Sequence, residues 1–224
     1  MQKKRITLFA GHYGSGKTNV ALNYARWLKV SGEKVRVADL DIVNPYFRTK
    51  DSAKALSDEG IDLIVSEYAN SNVDFPALPK EMYSAVADRS AMVVMDIGGD
   101  DRGALALGRY VDEIKSENNY EMLAVINAAR PLTNDVISTV EVLREIEYAS
   151  KLPFTGVVNN TNLGPETRAV DIIESVAYAR SVAAQMGLDI KFTSVEASLI
   201  PELEGKVENL FGLTIQRLYY HLNG

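Results

Sequence analysis

The sequence predicts an α/β fold, a three-layer sandwich in which a mostly parallel, twisted sheet of about seven strands carries helices on both faces. Three observations predict it. Short apolar runs alternate with amphipathic stretches along the chain, the sequence pattern of strands joined by helical crossovers. Several runs, Met92-Val93-Val94-Met95 and Leu123-Ala124-Val125-Ile126 among them, are apolar at consecutive positions, as strands buried on both faces are. A glycine-bearing turn from Gly11 to Gly16 stands between the first apolar run and the first amphipathic stretch, a place where open α/β sheets hold ligands.

Taken in order, strands are expected over residues 5–10, 34–39, 61–65, 91–96, 122–127, 154–159 and 189–193. The first helix is expected over 16–30, because Val20, Ala21, Tyr24, Ala25 and Leu28 fall on one face, and Ser31-Gly32 stops it. Later helices are predicted over 133–149, with Val136, Val140 and Leu143 inward, then over 166–186 and 202–222. Residues 70–79, with two prolines and several turn formers, read as a loop. There is no internal repeat or linker, so the reading is a single domain over 1–224.

Composition narrows the function classes. A net charge of -6 argues against broad adhesion to nucleic acid or anionic membrane, both of which need clustered positive charge. The absence of cysteine removes disulfides, thiolate-held zinc and cysteine-held iron–sulfur clusters. The apolar run after Lys3-Lys4-Arg5 is too short for a signal peptide, and nothing approaches the length of a membrane span. A cytoplasmic location without integral membrane association is the expectation.

Gly11-His12-Tyr13-Gly14-Ser15-Gly16-Lys17-Thr18 satisfies G-x-x-x-x-G-K-[ST] in the strand–turn–helix context that its mechanism requires. A triphosphate needs several backbone N–H donors converging on it, and Gly11, Gly14 and Gly16 tolerate the dihedrals and close approach this demands. The helix that comes next, from Lys17 through Thr18 and Asn19, presents its positive end to the same anion. Lys17 is placed to reach the β- and γ-phosphates, and the Thr18 hydroxyl to ligate Mg²⁺. ATP and Mg²⁺ are therefore the expected cofactors.

Phosphoryl transfer is catalysed mainly by placement and charge neutralisation, so carboxylates are expected on neighbouring strands to position Mg²⁺ and an attacking water, with Asp41 and Asp96 the metal candidates beside Thr18. Two strand ends supply them, Asp39-Leu40-Asp41 and Asp96-Ile97-Gly98-Gly99. The second also reads D-x-x-G, in which Asp96 would hold Mg²⁺ through water and the glycine N–H would sense the γ-phosphate. Arg48, Asp100, Asp101 and Arg102 come after these strand ends on expected loops.

With these residues the chain resembles the deviant-Walker P-loop ATPases of the MinD/ParA and CobQ/CobB nucleotide-binding superfamily, the SIMIBI class, over most of its length. The resemblance implies that Asp41 orients the attacking water, that Asp96 is the Walker B magnesium aspartate and that Gly99 is the switch II glycine. Within Gly156-Val157-Val158-Asn159-Asn160 it assigns base reading to Asn160, with Asn159 the alternative. One departure stands out: the dimerising members carry a lysine in the second loop position, and here His12 occupies it. That puts a homodimer closed around ATP in doubt unless Arg48 or another cation substitutes; His12 itself reads as a loop filler or phosphate neighbour.

ATP is favoured over GTP, because Asn159-Asn160-Thr161-Asn162 places no aspartate at the offset of an N-K-x-D guanine site. Glu196 lies near the end of the last expected strand and reads as an ordinary surface carboxylate. Val207, Leu210, Phe211, Ile215, Leu218 and Leu222 read as the inner face of a packed final helix rather than a membrane-targeting one. The expected function is a slow ATPase that switches an unknown protein partner with its nucleotide. The alternative is an ATP-dependent ligase that activates a small carboxylic acid, similar to dethiobiotin synthetase or cobyrinate amidation enzymes.

Overall fold

The computed structural model describes residues 3–40, 50–65, 80–98, 104–105 and 107–214. In chain order the elements are β1 (Ile6–Ala10), α1 (Lys17–Val30), β2 (Val35–Leu40), α2 (Lys50–Asp58), β3 (Asp62–Val65), α3 (Lys80–Ala87), β4 (Met92–Ile97), α4 (Val111–Glu117) and β5 (Tyr120–Ile126). They continue with α5 (Val136–Ser150), β6 (Gly156–Asn159), α6 (Ala169–Met186), β7 (Ile190–Glu196), α7 (Ile200–Leu203) and β8 (Leu210–Leu213). The strands form one sheet in the order β3-β2-β4-β1-β5-β6-β7-β8, and every pairing is parallel.

Strand periodicity builds two core layers. From β1, Ile6, Leu8 and Ala10 face one layer with Met82 of α3, Ile114 of α4, Leu143 of α5 and Val182 of α6. Phe9 faces the other, with Val20, Tyr24 and Leu28 of α1 and Leu56 of α2. The expected three-layer sandwich is thus present, with helices on both faces. The α1 face predicted from Val20, Ala21, Tyr24, Ala25 and Leu28 is buried throughout, and Ser31 with Gly32 (φ 89°) ends the helix. No helix among the described residues is long and apolar enough to cross a membrane.

The predicted helix over 202–222 is corrected. α7 stops at Leu203, Gly205 (φ 75°) and Asn209 (φ 52°) turn the chain in left-handed conformations, and Leu210–Leu213 pairs with β7 as an eighth strand. Val207, Leu210 and Phe211 do share spacing suitable for a helix. Phe211, however, packs against Phe192 of β7 and Trp27 of α1 as a strand residue, and Thr214 ties the strand to α1 through Asn23 (N–H to Oδ1, 2.8 Å). Ile215, Leu218 and Leu222 lie outside the described residues, as do residues 70–79.

Candidate phosphate-binding site

The loop between β1 and α1 is shaped by glycines that no other residue replaces. A Cβ on Gly11 would stand 2.3 Å from the Val125 carbonyl oxygen of β5, and one on Gly16 (φ 87°) 2.3 Å from Asn160 Nδ2. Both positions need bare backbone for a close approach.

Between them, four consecutive carbonyls are taken by side chains. His12 O accepts from Lys17 Nζ at 3.3 Å and Tyr13 O from His12 Nδ1 at 2.8 Å, so the ring proton sits on Nδ1. Gly14 O accepts from Arg130 Nε at 2.8 Å, and Ser15 O from Asn160 Nδ2 at 2.6 Å. In a trans peptide the carbonyl and the following N–H point in opposite directions. Fixing the Tyr13 and Ser15 carbonyls therefore turns the Gly14 and Gly16 amides the other way, as an anion-binding nest requires. Ser15 Oγ is buried and has no hydrogen-bond partner among the described residues, an acceptor and donor left for a ligand of the loop.

The acids come from the next strands. Asp39 of β2 and Asp96 of β4 lie directly opposite each other in the sheet, and Asp96 also lies opposite Phe9 of β1. Both are buried. They alternate in phase with Val37 and Val94, which pack on the α1 side, so both carboxylates share the face of the phosphate loop. Thr18 Oγ1 donates to Asp96 Oδ2 at 2.5 Å. A hydroxyl and a carboxylate already in contact beneath the loop are the hard oxygen donors that suit Mg²⁺.

The two asparagines after β6 part company. Asn159 is fully buried, donating to Ser175 Oγ at 2.8 Å and accepting from Thr161 Oγ1 at 2.8 Å. Asn160 braces Ser15 and accepts from Ser194 Oγ at 2.7 Å. It also lines a cavity of about 130 Å³ with Gly16, Asn19, Ser194 and Glu196. Asn19 accepts from Asn23 Nδ2 through both its backbone and its side-chain oxygen. Asp41, Gly99, Arg48, Asp100, Asp101 and Arg102 lie outside the described residues. Arg130 and Ser194 are contributions that the motif reading missed. The signal for Arg130 was a lone arginine just past an apolar run and just before Pro131.

No protein-family model matches the chain, and no curated protein matches it in sequence. Solved structures do resemble it. The cell division protein FtsY of Thermotoga maritima is 19% identical with a TM-score of 0.60, covering 85% of this chain and 61% of its own. The signal recognition particle receptor FtsY of Elizabethkingia anophelis, in complex with GDP, is 16% identical with a TM-score of 0.54, covering 87% of this chain and 58% of its own. The signal recognition particle 54 kDa protein of Aeropyrum pernix, also in complex with GDP, is 21% identical with a TM-score of 0.55, covering 86% of this chain and 41% of its own. The chain thus spans about three fifths of the FtsY chains and less of the 54 kDa protein. At these identities the likeness concerns the fold, and the fold is that of the P-loop nucleoside triphosphatases.

Proposed function

We propose that the chain is a magnesium-dependent ATP-binding protein and slow ATPase acting as a nucleotide-dependent switch for a protein partner. The observation that carries this reading is the Thr18–Asp96 contact beneath a loop whose carbonyls are already turned to side chains. Such a site is organised for an anion and its cation before either arrives. Lys17 would hold the terminal phosphates, and Thr18 and Asp96 the magnesium. When bound, Mg²⁺ supplies charge neutralisation between phosphate oxygens. Asp41 is assigned to orienting water, with Asp39 supporting the acidic end of β2, and Gly99 to sensing the γ-phosphate.

Base reading is assigned to Asn160, because it joins the loop to the cavity beside Gly16 and Asn19. ATP is preferred to GTP on the missing aspartate after Asn159-Asn160; Glu196, the one carboxylate among the described residues that line that cavity, makes the preference open to direct test. The likeness to FtsY and the 54 kDa protein, two of whose structures hold GDP, supports a nucleotide switch of the SIMIBI class; the MinD/ParA character, the cytoplasmic location and a homodimer remain parts of the proposal. The test compares Mg²⁺-dependent binding and turnover of ATP and GTP in the wild-type chain and Lys17→Ala, with molar mass by light scattering. ATP binding tighter than GTP, lost in Lys17→Ala, is expected. Turnover appearing only with a small carboxylic acid would replace the switch by the ligase reading.

A further inference from the structure

The phosphate loop holds its lysine at Lys17 and has His12 where the dimerising ATPases it resembles carry a second. The sheet order suggests where another cation enters. β1 lies between β4 and β5, so the loop at its end lies between the carboxyl ends of those two strands, the arrangement that forms a ligand crevice in open α/β sheets. From the β4 side comes Asp96, bonded to Thr18. From the β5 side comes Arg130, whose Nε donates to Gly14 O at 2.8 Å.

Resting on the phosphate-loop reading, we infer that Arg130 supplies the loop's second positive charge from within the same chain, as a phosphate-binding residue that favours a triphosphate over a diphosphate. The Nε contact fixes the guanidinium plane at the loop edge while using only one of its five N–H donors. Among the described residues Nη1 and Nη2 meet no acceptor, so four donors in a fixed fork stay available, and a fork of this kind matches phosphate oxygens. The side chain passes 3.7 Å from the point a Cβ on Gly14 would occupy, an ordinary contact distance, so Arg130 packs directly against the loop at that residue. The backbone beneath Arg130 is braced as well: its N–H donates to Asn127 O at 3.2 Å, and Thr133 N–H donates to Arg130 O at 3.0 Å. Pro131 then starts a 3₁₀ turn. A cation on a short braced turn loses little freedom when it engages an anion.

The test measures affinities of the whole chain for ATP, ADP, GTP and GDP with Mg²⁺ by titration calorimetry, in wild type, Arg130→Ala, Arg130→Gln and Arg130→Lys. The expected result is that Ala and Gln weaken the triphosphate about tenfold more than the diphosphate, and that Lys, which keeps the charge but not the fork, restores part of the difference. Equal losses for both nucleotides with rescue by Gln would make Arg130 a neutral brace of Gly14 and overturn the inference, as would unchanged affinities. A wild-type chain that binds no nucleotide, or a Lys17→Ala chain that binds as well as wild type, overturns the phosphate-loop reading itself and this inference with it. Thermal melts establish that each variant is folded; if Arg130→Ala is not, the Gln and Lys variants carry the comparison.

Discussion

Arg5 and Lys17 are both buried cations, 6% and 5% exposed, one just before β1 and one just after the loop that leaves it, and their surroundings differ. Arg5 is closed in by its own fold. Its guanidinium pairs with Glu117 and donates to the carbonyls of Val86 at 2.6 Å, Asp88 at 3.2 Å and Ala91 at 3.4 Å. Nearby, Glu121 accepts from Thr7 at 3.3 Å and Tyr24 at 3.4 Å and pairs with Lys191 at 3.5 Å. Burial, with the Glu121 charge beside it, pushes the Tyr24 hydroxyl well above its ordinary range, so it stays protonated and donating. Lys17, by contrast, donates to the His12 carbonyl of the loop at 3.3 Å, next to Thr18, which meets Asp96, and near Ser15, whose buried hydroxyl has no partner among the described residues. Charge held among structural carbonyls and carboxylates stabilises the fold; charge gathered at an amide nest is also placed where a ligand would meet it.

The sharpest way to break this contrast is to remove each cation. Lys17→Ala is expected to weaken ATP binding by about 100-fold while lowering the thermal midpoint less than Arg5→Ala does. Arg5→Ala leaves the Glu117 carboxylate with the exposed Arg89 as its remaining cation among the described residues and takes a donor from three carbonyls, at a cost of about 3 kcal/mol, or a midpoint lower by roughly 10 °C, with ATP affinity of the folded protein little changed. Calorimetric binding and thermal melts on both variants check it, and swapped outcomes would sink the division of labour.

Asp96→Asn probes the ligand side further. It keeps an acceptor for Thr18 but removes the charge, so Mg²⁺-dependent turnover should fall on the order of 100-fold while stability holds. Steady-state phosphate release and a melt decide it. At the closed end, Glu121→Ala should cost about 2 kcal/mol, less than a fully buried pair, because Lys191 is 34% exposed and can turn to solvent. Urea unfolding checks that, and unchanged ATP affinity is part of the expectation.

The same contrast explains what the sequence made legible. The loop could be read because its backbone demands glycines at Gly11 and Gly16 and its chemistry a lysine and a hydroxyl at fixed offsets; local constraints of this kind leave a string. Asp96 could be read because a strand puts its last acid where the loop needs it. Arg130 lies 116 residues from the carbonyl it holds, and nothing local requires an arginine there. Ser194 likewise meets Asn160 only through the pairing of β6 with β7. The eighth strand escaped because Val207, Leu210 and Phe211 satisfy a helical spacing, and in a four-residue run apolar periodicity cannot separate 3.6 from 2. Gly205 and Asn209, each at positive φ, were the punctuation that decided it.

The smallest expected effect lies at the closed end. The Asp88 carboxyl is lowered to about 2, first by hydrogen bonds from the Ser90 hydroxyl and backbone N–H, then by the charges of Arg36 and Lys34. Its folded value lies below its unfolded one, so the stability it contributes is present above the ordinary carboxylate range and is lost as pH falls from about 4 toward 2. Asp88→Asn should therefore flatten the acid limb of the stability curve: its loss is small at pH 7, as a half-buried carboxylate still screened by solvent predicts, and shrinks further as the pH falls to 3. Urea midpoints at pH 7, 4 and 3 measure this. A loss as large at pH 7 as that of Arg5→Ala would mean that the Asp88 side chain, and not only its carbonyl that Arg5 Nη1 meets at 3.2 Å, belongs to the closed network.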